Sequence, residues 1–272
     1  MKMWPVYLLL NKILGAEGDI QETEECHLSW FSSYQLEESL DHGKHTDSIS
    51  SSHSTEVPHI NQVHTWDCGL ACVLMVLRAH GINDPTLQEL EDVCSTTSIW
   101  TVDLAYLLKK FAISFQYFTI TLEANPNFSG ETFYKSAAMQ EQLHNDILRV
   151  NVLFQRAREA GIIIQRRSIS AKEISLLILS GKHIAIALVD QYKLRPSWTE
   201  DICLAGFDSN SPDYTGHYVV ICGYDSVRDE FEIRDPARSR KDERVSSRCL
   251  EEARKSFGTD EDLLLINLFG KE

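Results

Sequence analysis

Long apolar runs are missing from this sequence. The opening Met1 to Leu10 is apolar, but Asn11 and Lys12 cut it far short of the ~20 residues that a membrane-spanning helix needs. No transmembrane segment is expected. Lys2 ahead of that run has the form of a secretory leader, but the small-residue cleavage site is poorly formed, so secretion is the lesser alternative. Positive charge is also scarce. Lys and Arg number 26 against 40 Asp and Glu, and the net charge of -14 argues against non-specific DNA or RNA binding, which depends on cations neutralising phosphates. The seven cysteines follow no regular spacing and are odd in number, so they read as reduced thiols of a cytoplasmic protein and not as a disulfide framework. Cys26-His27, His42, His45 and His53 lack closed zinc spacing, and no structural zinc is expected. There is no internal repeat, no Walker-type loop and no strong Gly-rich phosphate cradle.

What is present is ordinary globular composition, 43% hydrophobic and 24% charged over 272 residues, with no linker in the middle. Residues Glu17 to Thr55 are rich in Glu, Ser, His and Asp, which predicts a flexible N-terminal tail over 1–55 and one domain over 56–272. Asp67 reads as the N-cap of a buried helix carrying Leu70, Val73, Leu74 and Leu77, ended by Gly81. Further helices are predicted at Thr86 to Val93, Val102 to Phe111 and Ile147 to Ala160. Another follows the capping box Ser170 to Glu173, and a last one precedes Gly258. Strands are predicted at Ile162 to Gln165, His183 to Val189, His217 to Cys222, Phe231 to Arg234 and Leu263 to Leu268. Helices come first and the sheet later, which points to a two-lobed α+β fold.

Cys68 directly follows the N-cap, where free amide groups and the helix dipole favour a thiolate. Cys72, one turn deeper, reads as a small buried hydrophobe. His217 opens a strand after Gly216, and Asp235 ends the next. An antiparallel hairpin between them brings the acid beside the imidazole within a residue or two. A thiol at a helix N-terminus, a base and an acid that orients the base make a nucleophilic site. Gln62, six residues before Cys68, is a candidate oxyanion donor alongside the Cys68 backbone N–H.

The run Val57 to Cys72, with Gln62 ahead of Asp67-Cys68-Gly69-Leu70-Ala71, resembles the signature of C39-like papain-clan peptidases, and the strand His217 and Asp235-Pro236 complete it. The resemblance implies a papain-like fold, a nucleophile helix with an antiparallel sheet. It assigns Gln62 as oxyanion residue, Cys68 as nucleophile, His217 as base and Asp235 as orienting acid, acting on a peptide or acyl substrate.

A longer match includes Ser98 to Leu107, Tyr214 to His217 and Glu252 to Asp262. It is similar to the plant soluble guanylyl cyclase domain-containing family. That resemblance implies conversion of GTP to cyclic GMP and pyrophosphate with Mg2+, or Mn2+. Lys110, Phe111 and Ala112 partly meet a short plant cyclase-centre pattern for guanine, although the simpler reading of Lys109 and Lys110 is a helix C-terminus. Asp260, Glu261 and Asp262 could hold a hard cation, or form a solvated turn. Three functions remain open: guanylyl cyclase, thiol hydrolase and a catalytically silent binding protein.

Overall fold

Ten of the twelve residues of helix α1 (Cys68–Ala79) are buried, so this helix has no solvent face and must be enclosed by other elements. Helices α2 (Leu87–Cys94) and α3 (Thr101–Lys110) pack on it, and strand β5 (Gly216–Asp225) packs against it from the sheet. The computed structural model describes residues 51–125, 137–194 and 214–269, and these form one compact unit.

Among the described residues the sheet has eight strands. Beside β5 these are β1 (Ser52–Ser54), β2 (Phe115–Thr119), β3 (Ile164–Arg166), β4 (His183–Asp190), β6 (Glu230–Arg234), β7 (Glu243–Ser246) and β8 (Leu263–Asn267). They run in the order β3-β2-β8-β4-β5-β6-β7, with β1 also paired to β5. Among the described residues only β2 with β3 is parallel; every other pair is antiparallel. One apolar face, with Ala187, Val219, Ile221 and Leu263, buries Ile174 and Ile178 of α5 (Ala171–Leu179) and Leu250 of α6 (Ser247–Arg254). The remaining helix, α4 (Ala137–Arg156), packs on α3. The fold is α+β, with helix α1 on a largely antiparallel sheet, as expected from the sequence.

Local chemistry explains most boundaries. The Thr86 and Ser170 hydroxyls accept from Glu89 and Glu173 N–H, and the two glutamates reach back to the cap N–H groups, so both capping boxes are complete. Three strands and one helix limit depart from expectation. Ser52–Ser54, at the end of the predicted tail, forms β1, because its backbone bonds the edge of β5 at Gly223 to Asp225. The predicted boundary at 55 therefore falls after β1. Strand β2 was readable in the aromatic and Thr content of Phe115–Thr119, whereas β7 is short and half polar. Helix α4 begins ten residues before Ile147, through a stretch of Ala, Met, Gln and Glu, all strong helix formers. Met1 to Ser50, with Cys26, His27, His42 and His45, lies outside the described residues. No described helix is long and apolar enough to cross a membrane.

Gly258 stops the chain after α6 at φ +88, and a Cβ there would lie 2.6 Å from the Tyr214 ring that leads into β5. Gly258→Ala combines a left-handed backbone with overpacking, and should lower unfolding free energy by roughly 2–4 kcal/mol. Urea unfolding measures this; an unchanged midpoint would show that the ring moves freely.

Candidate active site

His217 and Asp235 meet because of one extra residue. In β5 and β6, Tyr224 faces Phe231 and Gly223 faces Glu232, but beyond Cys222 the register shifts so that Ile221 faces Ile233 and Val220 faces Arg234. Cys222 is a β-bulge. Continuing the shifted register, Asp235 falls opposite Val219, on the same face as His217 two residues away. Without the bulge, Asp235 would face Val220 and point to the other side of the sheet. The result is a hydrogen bond of 2.7 Å between His217 Nε2 and Asp235 Oδ1, both side chains at most 4% exposed.

With Nε2 engaged, the other ring nitrogen is left for Cys68, which acts electrostatically on the imidazole. Burial by itself would push the His217 pKa down. The interactions with Asp235 and Cys68 outweigh it and raise it to about 10. Asp235 is pushed up by burial, but His217, the Ala237 N–H and Arg238 bring it below the usual carboxylate range. Cys72 is fully buried and its pKa lies far above that of a free thiol because of desolvation, in line with its reading as a structural residue.

Asp67 holds the N-cap position, but its side chain does not cap. Its backbone (φ -94, ψ 12) is not extended, and its carboxylate turns back to accept from Val63 N and His64 N, each at 3.0 Å. The first helical bond is Ala71 N to Asp67 O, so the N–H groups of Cys68, Gly69 and Leu70 precede the helical ladder. The strap before α1 is tied to the Asp235 loop. Gln62 N donates to Pro236 O at 2.9 Å, Asn61 Nδ2 donates to Arg238 O at 3.0 Å, and His59 Nε2 lies 2.8 Å from the same carbonyl. Gln62 is thus placed beside the loop of the orienting acid, while its side-chain Nε2 donates to His64 O at 2.7 Å. Asn61 and Arg238 were not singled out from sequence, and Asp67 was read only as a cap and not as the residue that ties back the strap. Their positions, next to Gln62, three residues after Asp235 and next to Cys68, were the available signal.

Lys110, Phe111 and Ala112 do not join this cleft. They end α3 in a Schellman motif: Ile113 N donates to Leu108 O and Ala112 N to Lys109 O, with Ala112 left-handed at φ 58. That end lies about 14 Å along the helix from Thr101, whose hydroxyl is 2.9 Å from Tyr218 Oη next to His217.

The acidic run also divides. Asp260 and Glu261 are both left-handed (φ 48 and 52), which sends adjacent carboxylates to different partners. Asp260 accepts from Thr121 Oγ1 and Asn125 Nδ2, Glu261 accepts from Ser168 Oγ, and buried Asp262 accepts from Tyr117 Oη at 3.0 Å. Asp260 and Asp262 share a cavity of about 10 Å3, room for one water. Separately, an open groove of about 640 Å3 runs past Trp66, Glu91, Asp92 and Ser95 to Thr97, beginning two residues from Cys68.

A family described as guanylylate cyclase matches residues 57–266. The chain belongs to that family. It is 59% identical over 270 residues to Guanylyl cyclase 1 of Arabidopsis thaliana, covering 98% of this chain and 97% of the relative. A solved Bacillus anthracis chain described as a candidate C39-like peptidase superposes with a TM-score of 0.46 at 14% identity, over 80% of this chain and 97% of that one.

The sequence resemblance implies a divalent cation. Asp260, Glu261 and Asp262 do not fit as its cage. Among the described residues no three His, Cys, Asp or Glu side chains converge as a metal site, and a one-water cavity is too small for a cation that keeps several waters.

Asp262 instead behaves as a buried acid. Burial pushes its pKa to about 7, although the hydroxyls of Thr101, Thr119 and Tyr117 hold it down in part. A carboxyl raised in the folded state loses stability as pH rises from its unfolded value near 4 to about 7, since only the unfolded chain ionises freely in that window. Asp262→Asn should therefore gain Tm over the parent increasingly from about pH 4 to 7, with a constant gain above. A pH-independent difference in a melting series would contradict this.

Proposed function

We propose that this guanylyl cyclase family member converts GTP to cyclic GMP and pyrophosphate. What supports the reading is the family match through residues 57–266 together with 59% identity across nearly the whole length of Guanylyl cyclase 1. The reaction forms a bond from the ribose 3′ oxygen to the α-phosphorus and releases pyrophosphate, so it needs base catalysis and charge neutralisation but no thiol. His217, held protonated up to about pH 10, is ill suited to take that proton.

The groove beside Trp66 is the better place for the nucleotide. An indole face stacks a base, a contact of about 1–3 kcal/mol, and the carboxylates of Glu91 and Asp92 suit the N1–H and 2-amino donors of guanine, which adenine does not present together. Mg2+ or Mn2+ would arrive on the phosphates, in keeping with how such ions bind nucleotides. Mass spectrometry of product from GTP with Mg2+ or Mn2+ tests the reading. Wild type and Cys68→Ala should both form cyclic GMP, and Trp66→Ala should raise KM for GTP on the order of tenfold with kcat less affected. No product above a buffer control would overturn it.

One observation favours a second reading. The 2.7 Å His217–Asp235 bond beside a thiol at a helix N-terminus suits acyl chemistry. Cys68 sulfur would bond the carbonyl carbon of a peptide or acyl substrate, His217 would give its proton to the leaving group, and water would release the acyl group. The Cys68 N–H and the Gln62 amide would face the developing oxyanion.

A further inference from the structure

The loop after β6 joins the two halves of the thiol cleft through one residue. Arg238 Nε lies 3.0 Å from Asp235 Oδ2, the oxygen that His217 does not use, and Arg238 Nη1 lies 2.8 Å from Glu243 Oε1 on β7. Glu243 is 4% exposed, so the guanidinium is fixed from behind by a buried carboxylate. The carbonyl of Arg238 receives Asn61 Nδ2 and faces His59 Nε2, both on the strap that carries Gln62. Side chain and backbone of this residue therefore bridge the orienting acid to the strap ahead of the nucleophile.

We propose that Arg238 is a positioning residue for Cys68 chemistry, holding Asp235 ionised and aimed at His217 while anchoring the Gln62 strap. The inference rests on the thiol reading of the same cleft. Arg is suited to the task because its planar fork reaches two carboxylates in fixed directions, which a single ammonium does not. The charged and titratable groups around Asp235 are His217 from β5, Cys72 from α1, Arg238 on its own loop and Glu243 from β7, with Cys68 beyond His217, Arg240 near Glu243 and His59 on the strap. Of these, Arg238 is the cation that contacts the second carboxylate oxygen. Without it, Asp235 should take up a proton at higher pH, and His217 would lose its ionised partner together with the thiolate.

The test is iodoacetamide labelling of full-length protein from about pH 4 to 9, with Cys68 and half-buried Cys94 quantified by peptide mass spectrometry. Wild-type Cys68 should react well below the pH at which Cys94 does, with an acid limb where Asp235 protonates. In Arg238→Met that limb should move up by about one pH unit, and Arg238→Lys, which restores the charge but not the fork, should recover part of the shift. A role in packing alone would lower the folded fraction and leave the limb in place. An acid limb unchanged in Arg238→Met overturns the assignment of Arg238 while the thiol reading stands. Wild-type Cys68 no more reactive at low pH than Cys94 overturns both.

Discussion

The hydrogen bond between His217 and Asp235 is the interaction around which the rest of the site is arranged, and a single bulged residue makes it. The strand ladder fixes which side chains share a face, and the side-chain period of two makes a one-residue slip an inversion. Cys222 supplies that slip within the core of β5, so the acid at the end of β6 turns to the imidazole at the start of β5. Two charged groups at this depth stabilise each other only as a pair, and removing either would leave a buried charge at a cost of about 3–5 kcal/mol. The surrounding bonds follow from this. Arg238 and the Ala237 N–H complete the carboxylate, and Asp67 leaves the first N–H groups of α1 uncapped.

Membership of the guanylylate cyclase family and the geometry of the cleft point to different chemistry in one chain. The cleft keeps a proton on its imidazole and a thiol beside it, which suits attack on a carbonyl. The groove past Trp66 offers a flat ring and carboxylates, which suit a base with two adjacent donors. The two are linked through the chain, since Trp66 and Cys68 flank Asp67. An overall charge of -14 opposes a polyphosphate, so a divalent cation carried on the nucleotide would lower the electrostatic barrier to its approach.

Much of this was legible in the sequence where local chemistry decides structure. Capping boxes at Thr86 and Ser170, the all-apolar face of α1 and the hairpin between Gly216 and Arg234 each have a signature within a few residues. The pairing of His217 with Asp235 was readable to within two positions, but the bulge was not, because Cys222 looks like any apolar residue in a buried strand. Strand β1 was invisible for another reason: Ser52–Ser54 contributes backbone bonds to an edge and almost no apolar surface. The dispersal of Asp260, Glu261 and Asp262 depends on two left-handed residues that composition does not encode. Arg238 was missed because its role comes from β7 and the strap, both remote in sequence.

The most direct test of the central pair is a 15N NMR titration of the His217 ring in the wild type and in Asp235→Asn. The wild-type imidazole should stay protonated through neutral pH and titrate at about 10, and the ring of the variant should titrate substantially lower. A wild-type ring titrating at the ordinary 6.5, unchanged by the substitution, would contradict it.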